Sequence, residues 1–208
     1  MPTSQSVVSR RAALRLSLLA AAAAGLPVLA QPAPPVRVRG KVESLAADSL
    51  VFVSDKGERI TFALAPDFTV NEVYPLTVAD IKPNSFVGVG AMPQPDGTQK
   101  AIQVLVFPEA MRGRGEGHRP FDYLPQSTMT NATVTGIAST DGRRLQLKYP
   151  GGEQTIVIPP EAPVLSMRPG TRDLLVPGAT VSVFAQQVGG KPTALRANAG
   201  RNGFAPPY

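Results

Sequence analysis

The 208-residue chain has no cysteine, no tryptophan and a single histidine, His118. Without cysteine there is no disulfide, no thiolate metal site and no lipid-modified N-terminal cysteine, so the fold rests on its core alone. One histidine without cysteine does not build a usual structural zinc site. With four Tyr and eight Phe, most of the Phe at core-facing strand positions, the chain has few aromatic platforms on which bases would stack. That weighs against single-stranded nucleic acid as a partner. After residue 30 no apolar run reaches the roughly 18 residues of a membrane-spanning helix. Long helices are excluded there too, because Pro and Gly interrupt every helical window.

What the N-terminus does contain is an export leader. A basic stretch, Ser9-Arg10-Arg11-Ala12-Ala13-Leu14-Arg15, precedes an apolar run from Leu16 to Leu29 that closes at Val28-Leu29-Ala30. Charge, apolar core and small residue in that order predict a signal peptide over residues 1–30. Ser9-Arg10-Arg11 resembles the twin-arginine pattern, with Ala13 and Arg15 departing from it; an ordinary secretion signal reads equally well. The expected location is periplasmic or secreted. The three leader arginines also supply half of the formal charge of +6, so the high pI is no argument for a nucleic-acid partner.

Beyond a Pro-rich spacer (31–35) the pattern is that of strands. Val36-Arg-Val-Arg-Gly-Lys-Val-Glu43 alternates apolar and polar with the two-residue period of a half-buried strand. Leu50–Val53 and Ile60–Leu64 follow around an Asp55-Lys56-Gly57 turn, then Phe86–Ala91 and Lys100–Phe107 around Asp96-Gly97. Between them, Thr77 caps a predicted helical turn that Pro83 ends. The second half repeats this plan through Ala132–Gly136, Leu145–Tyr149, Thr155–Ile158, Ala179–Ala185 and Thr193–Ala197. Gly40/Gly136, Pro66/Pro160, Val70/Val164, Val87/Val181 and Ala101/Ala194 keep a spacing of about 95 residues. Five short strands per copy must protect their edges, and closure into a small barrel does so. The predicted fold is all-β: two tandem OB-like β-barrels after an N-terminal signal helix. Its parts are the first repeat (36–107), a Gly/Arg-rich connector (108–129), the second repeat (130–200) and a tail (201–208).

The stretches VRGKVESLAADSLVFVSDKGERITFAL and ADIKPNSFVGVGAM resemble the exported bacterial domains of unknown function called DUF5666. Val38-Arg39-Gly40, Gly57 and Asp80-Ile81-Lys82-Pro83 carry the likeness. Asn84 stands where glycine usually follows that proline, while the second copy keeps Pro177-Gly178. The run Arg112–Asp122 with Ser127–Thr133 is similar to a subgroup labelled as metal ABC transporter components. The resemblance implies an OB-like barrel and export, with no established activity.

The connector holds the residues of most chemical interest. Arg112, Arg114 and Arg119 alternate with glycines that leave backbone N–H groups accessible, and guanidinium forks recognise carboxylate and phosphate. An unknown protein or an envelope anion is the partner this predicts. Glu116 and His118, two apart, share one face of an extended segment and form a candidate cation site; nearby arginines oppose it. No Ser-His-Asp set is distinguishable, and the Asp residues lie at turns, where they are normally structural. The reading is an exported, non-enzymatic binding or scaffolding module without a cofactor. The alternative is a periplasmic metal-handling accessory protein with a divalent cation at the connector.

Overall fold

The computed structural model describes residues 34–207, and every described element is a strand, a turn or a single 3-10 turn. The predicted signal segment, residues 1–30, lies outside them. The strands are β1 (Val36–Leu45), β2 (Ser49–Ser54), β3 (Arg59–Leu76), β4 (Phe86–Pro93), β5 (Gln99–Val106), β6 (Gly117–Pro120), β7 (Thr128–Ile137), β8 (Arg144–Tyr149), β9 (Gly152–Val157), β10 (Val164–Gly170), β11 (Thr180–Val188) and β12 (Lys191–Ala199). The all-β class and the OB-like barrel agree with the sequence expectation. No described helix is long and apolar enough to cross a membrane.

The strands close two five-membered rings. The first runs β1-β2-β3-β12-β11 and back to β1; the second runs β7-β8-β9-β5-β4 and back to β7. Within each ring every pairing is antiparallel except one: β12 lies parallel to β3, and β5 parallel to β9. The second closure is short, Gln99 opposite Ile156 and Lys100 opposite Val157. Closing a sheet on itself removes the exposed edges that a short antiparallel sheet would otherwise carry.

The pairing does not follow the expected division into one barrel over 36–107 and another over 130–200. Each ring takes three strands from one repeat and the last two from the other. The reason is in β3, whose 18 residues reach about 60 Å at ~3.3 Å per residue, further than one side of a small barrel. Its first part pairs with β2, and its last part, Val70–Leu76, pairs antiparallel with β10 while Thr69–Glu72 stay beside β12. The register against β12 breaks between these parts, at Ala65–Phe68. Pro66, lacking an N–H, is placed at that break. β3 and β10 thus form an antiparallel ribbon joining the two rings, with Val164–Ser166 of β10 also parallel to β5.

The spacing of the proposed repeat maps onto the strands only with a shift. Matching bulges lie at Val42/Ser44 in β1 and Val134/Gly136 in β7. Gly136 therefore corresponds to Ser44, not to Gly40, whose counterpart is Ala132. The misalignment arises because the turn after β1 spans 46–48 and that after β7 spans 138–143. Gly40 is required locally, since a Cβ there would sit 2.1 Å from the Val53 carbonyl oxygen.

Each core is likewise shared between the repeats. Leu50, Phe52 and Phe62 of the first half pack with Val181, Val183 and Leu175 of the second. Val87, Val89 and Ile81 of the first half pack with Leu145, Leu147 and Ile156 of the second. The 3-10 turn Val78–Asp80 follows Thr77, whose N–H is accepted by Asp80 at 2.8 Å, and delivers Ile81 into the second core. The turn Arg172–Leu174 does the same for the first with Leu174 and Leu175. A third, smaller cluster of Val73, Leu165 and Met167 lies on the ribbon.

Candidate functional site

Where ring, ribbon and connector meet, the structure leaves a cleft of about 280 Å³. Its two walls are the outer faces of equivalent strands, related by the internal repeat. On the first ring, Arg37 of β1 lies opposite Phe184 of β11, and Phe184 opposite Arg196 of β12. The same three positions on the second ring are Met129, Gly90 and Gln103. At these three positions the first wall is cationic and the second neutral, while Arg119 of β6, opposite Met129, adds a guanidinium beside the second. The ribbon supplies an apolar floor through Val73, Leu165 and Met167.

Aromatic rings hold the cationic wall in place. The Arg196 guanidinium lies 4.1 Å from the centre of Phe184, and Arg37 lies between Phe184 at 5.9 Å and Phe121 of the connector at 5.1 Å. These separations are those of cation–π attraction. Phe121 occupies the space left by the missing side chain of Gly90, where a Cβ would come within 2.9 Å of its ring. Asp122 makes an ion pair with Arg37 and a longer one, at 3.4 Å, with Arg39. That contact fastens the connector to β1.

The cleft has unmet polar capacity. Arg37 Nε, Arg196 Nε and Asn131 Oδ1 are buried without a hydrogen-bond partner among the described residues, and all three residues line it. An unsatisfied buried group costs about 1–3 kcal/mol, more when charged. Burial pulls the Arg196 guanidinium below its ordinary value, and Arg114 adds to the effect. Burial does the same to Arg37, reinforced by Arg39 and opposed by Asp122. Asp122 itself would be raised by its own burial, but Arg37 and then Arg39 bring it net below the carboxylate range. The pair thus favours the carboxylate while Arg37 still bears the cost of leaving water. Arginine stays protonated regardless, so both guanidinium groups remain cations short of solvation.

The connector closes over this cleft, and the predicted residues divide there. Gly113, Gly115 and Gly117 take φ of 78°, 59° and 127°, which lets the chain turn tightly before β6 pairs with β7. Arg114 and Arg119 both line the cleft. Arg119 donates to the Gly115 carbonyl at 2.7 Å, and the Arg114 carbonyl accepts from Asn131 Nδ2 at 3.0 Å. Arg112 is placed elsewhere: it forks onto Glu109 at 2.6 and 2.8 Å and donates to the Asn84 carbonyl at 2.8 Å. It is a clamp on the loop before β4. His118 directs Nδ1 at Thr130 Oγ1, 2.8 Å away, and its ring stacks on Tyr149 at 6.2 Å. Glu116 is exposed just before β6. No group of three or more His, Cys, Asp or Glu among the described residues is placed to hold a metal ion.

Sequence reasoning missed Arg37, Arg196 and Asn131. The alternation in Val36-Arg-Val-Arg marks Arg37 as outward-facing, but only the strand exchange turns that outer face into a cleft wall. Lining the cleft are four arginines and no carboxylate among the described residues. Four guanidinium groups of this kind can pair with negative charge. No family model, no curated protein and no solved structure matches the chain. The family likeness noted above therefore stands on its quoted residues alone.

Proposed function

We propose that the chain is an exported, non-enzymatic binding module that holds an organic anion in the cleft between its two barrels. One observation carries the reading: Arg37, Arg114, Arg119 and Arg196 converge on a cavity lined by no carboxylate, and two of them have a buried Nε donor without a partner. An anion would supply those acceptors through charge-assisted hydrogen bonds, which are about twice as strong as neutral ones. The cleft offers no proton-transfer pair, since the one histidine is engaged with Thr130 outside it. Its volume lies near the low end of the roughly 300–1,000 Å³ of small-molecule sites.

Thermal unfolding with benzoate tests this reading, with benzyl alcohol as the neutral match. A ligand at about ten times its Kd stabilises by roughly 1.4 kcal/mol through mass action. Benzoate raises the Tm and benzyl alcohol does not, and the benzoate effect falls in the Arg114→Gln/Arg119→Gln double variant. Equal shifts with both compounds, or a shift the variant retains in full, contradict the reading. For export, the envelope protein should begin near Gln31; an N-terminus at Met1 contradicts it.

A further inference from the structure

The two walls of the cleft differ in a way that anion binding alone does not require. At matched strand positions the first ring presents Arg37 and Arg196, and the second presents Met129 and Gln103. Leu105 and Leu165 extend the uncharged side towards the ribbon. Leu165 is 4 % exposed and Met167 8 %, so the floor is built as core and yet borders the cavity. A cavity for inorganic phosphate would surround its ligand with donors. Here Arg37 and Arg196 stand on the first ring and Arg119 enters from β6 opposite Met129, while Val73, Leu105, Leu165 and Met167 leave the floor without donors. The connector adds Arg114 and Arg119, and no segment of either barrel repeat corresponds to it.

We infer that the ligand of the cleft is an amphiphilic organic monoanion, an alkyl or aryl carboxylate whose head group meets the arginines and whose apolar body lies on the leucine and methionine floor. This rests on the anion-binding reading above and specifies its ligand class. Size agrees with it: at the ~30 Å³ that a water-sized group takes in a liquid, a cavity of about 280 Å³ holds about nine non-hydrogen atoms. A medium-chain carboxylate has that bulk. Its carboxylate would satisfy the two orphaned Nε donors, and its chain would cover apolar surface on Leu105, Met129, Leu165 and Met167.

Isothermal titration of the intact protein with butanoate, hexanoate, octanoate and 1-octanol separates the parts. Each methylene buried should tighten binding about three- to fourfold, so octanoate should exceed butanoate by well over tenfold. Octanoate should also exceed 1-octanol by tenfold or more, and Arg114→Gln/Arg119→Gln should weaken octanoate while leaving 1-octanol unchanged. Both side chains are exposed, so this variant folds and the comparison is interpretable. Butanoate binding as tightly as octanoate would overturn the amphiphile inference and leave the anion reading standing. Octanol binding as tightly as octanoate would overturn the anion reading, and no binding by any of the four would overturn both.

Discussion

Cutting the connector of the folded protein, for example at a protease site placed between Gly113 and Gly117, should not separate its two halves. Each barrel closes only with strands from both sides of the cut. Parting them would expose, among others, Leu50, Phe52, Phe62, Leu145, Leu147 and Ile156, each no more than 2 % exposed. Fully buried side chains of this kind contribute about 1.5–3 kcal/mol each, so these six alone amount to roughly 9–18 kcal/mol. The ladders β1–β11, β4–β7 and β3–β10 would break as well. Association costs about 4–15 kcal/mol in lost freedom, and nanomolar affinity corresponds to about 12 kcal/mol. With the remaining core residues added, the nicked protein should migrate as one particle on size exclusion at nanomolar concentration. The assay is chromatography after cleavage, with light scattering for mass. Two half-mass species that keep strand-rich circular dichroism would show one barrel per repeat and refute the exchanged topology.

Three further outcomes follow from individual side chains. Phe52→Ala, at a fully buried position packed edge-on to Phe62 at 5.8 Å, should cost about 3–5 kcal/mol in urea unfolding; a loss below about 1 kcal/mol would mean the first ring is loosely packed. The buried Glu72 carboxylate accepts from Arg168 at 2.7 Å and from Arg201 at 3.2 Å, and these contacts, Arg168 first, hold it below the ordinary range. Its folded value is thus lower than its unfolded one of about 4.3. The stabilisation is fully present above that unfolded value and is lost as pH falls through the folded one, so Glu72→Gln should flatten the acid limb of a stability profile; an unchanged limb would show the pair contributes nothing. His118→Ala should cost about 1 kcal/mol through the lost Thr130 contact while leaving octanoate affinity intact; loss of that affinity would place the histidine at the ligand.

How much of this was legible in the sequence depends on range. Period-two alternation, the Asp96-Gly97 turn and the Thr77 cap are local signals, and each marks an element found in the structure. The repeat was legible as well, because Val70/Val164 and Ala101/Ala194 occupy equivalent places in the two rings. Which repeat completes which barrel was not. Phe68–Leu76 carries no alternation that distinguishes a strand turning back from one running on. Only its antiparallel partner, Val164–Gly170, settles the path. The cleft depends on that path, so Arg37 and Arg196, some 160 residues apart in sequence, gave no sign of meeting around Phe184. Arg114 and Arg119 were found because they cluster in sequence. Arg112 clusters with them, but its neighbour Glu109, three residues away, takes its guanidinium instead.

The most direct test of the account observes the orphaned donors themselves. Arginine Nε–Hε resonances of the intact protein, recorded with and without octanoate, report whether Arg37 and Arg196 acquire an acceptor. Saturating octanoate should move both Hε signals downfield and slow their exchange with water, while the signal of Arg112, already held by Glu109, stays in place. Unchanged Arg37 and Arg196 signals at a concentration where octanoate is bound would contradict the claim that this cleft is the anion site.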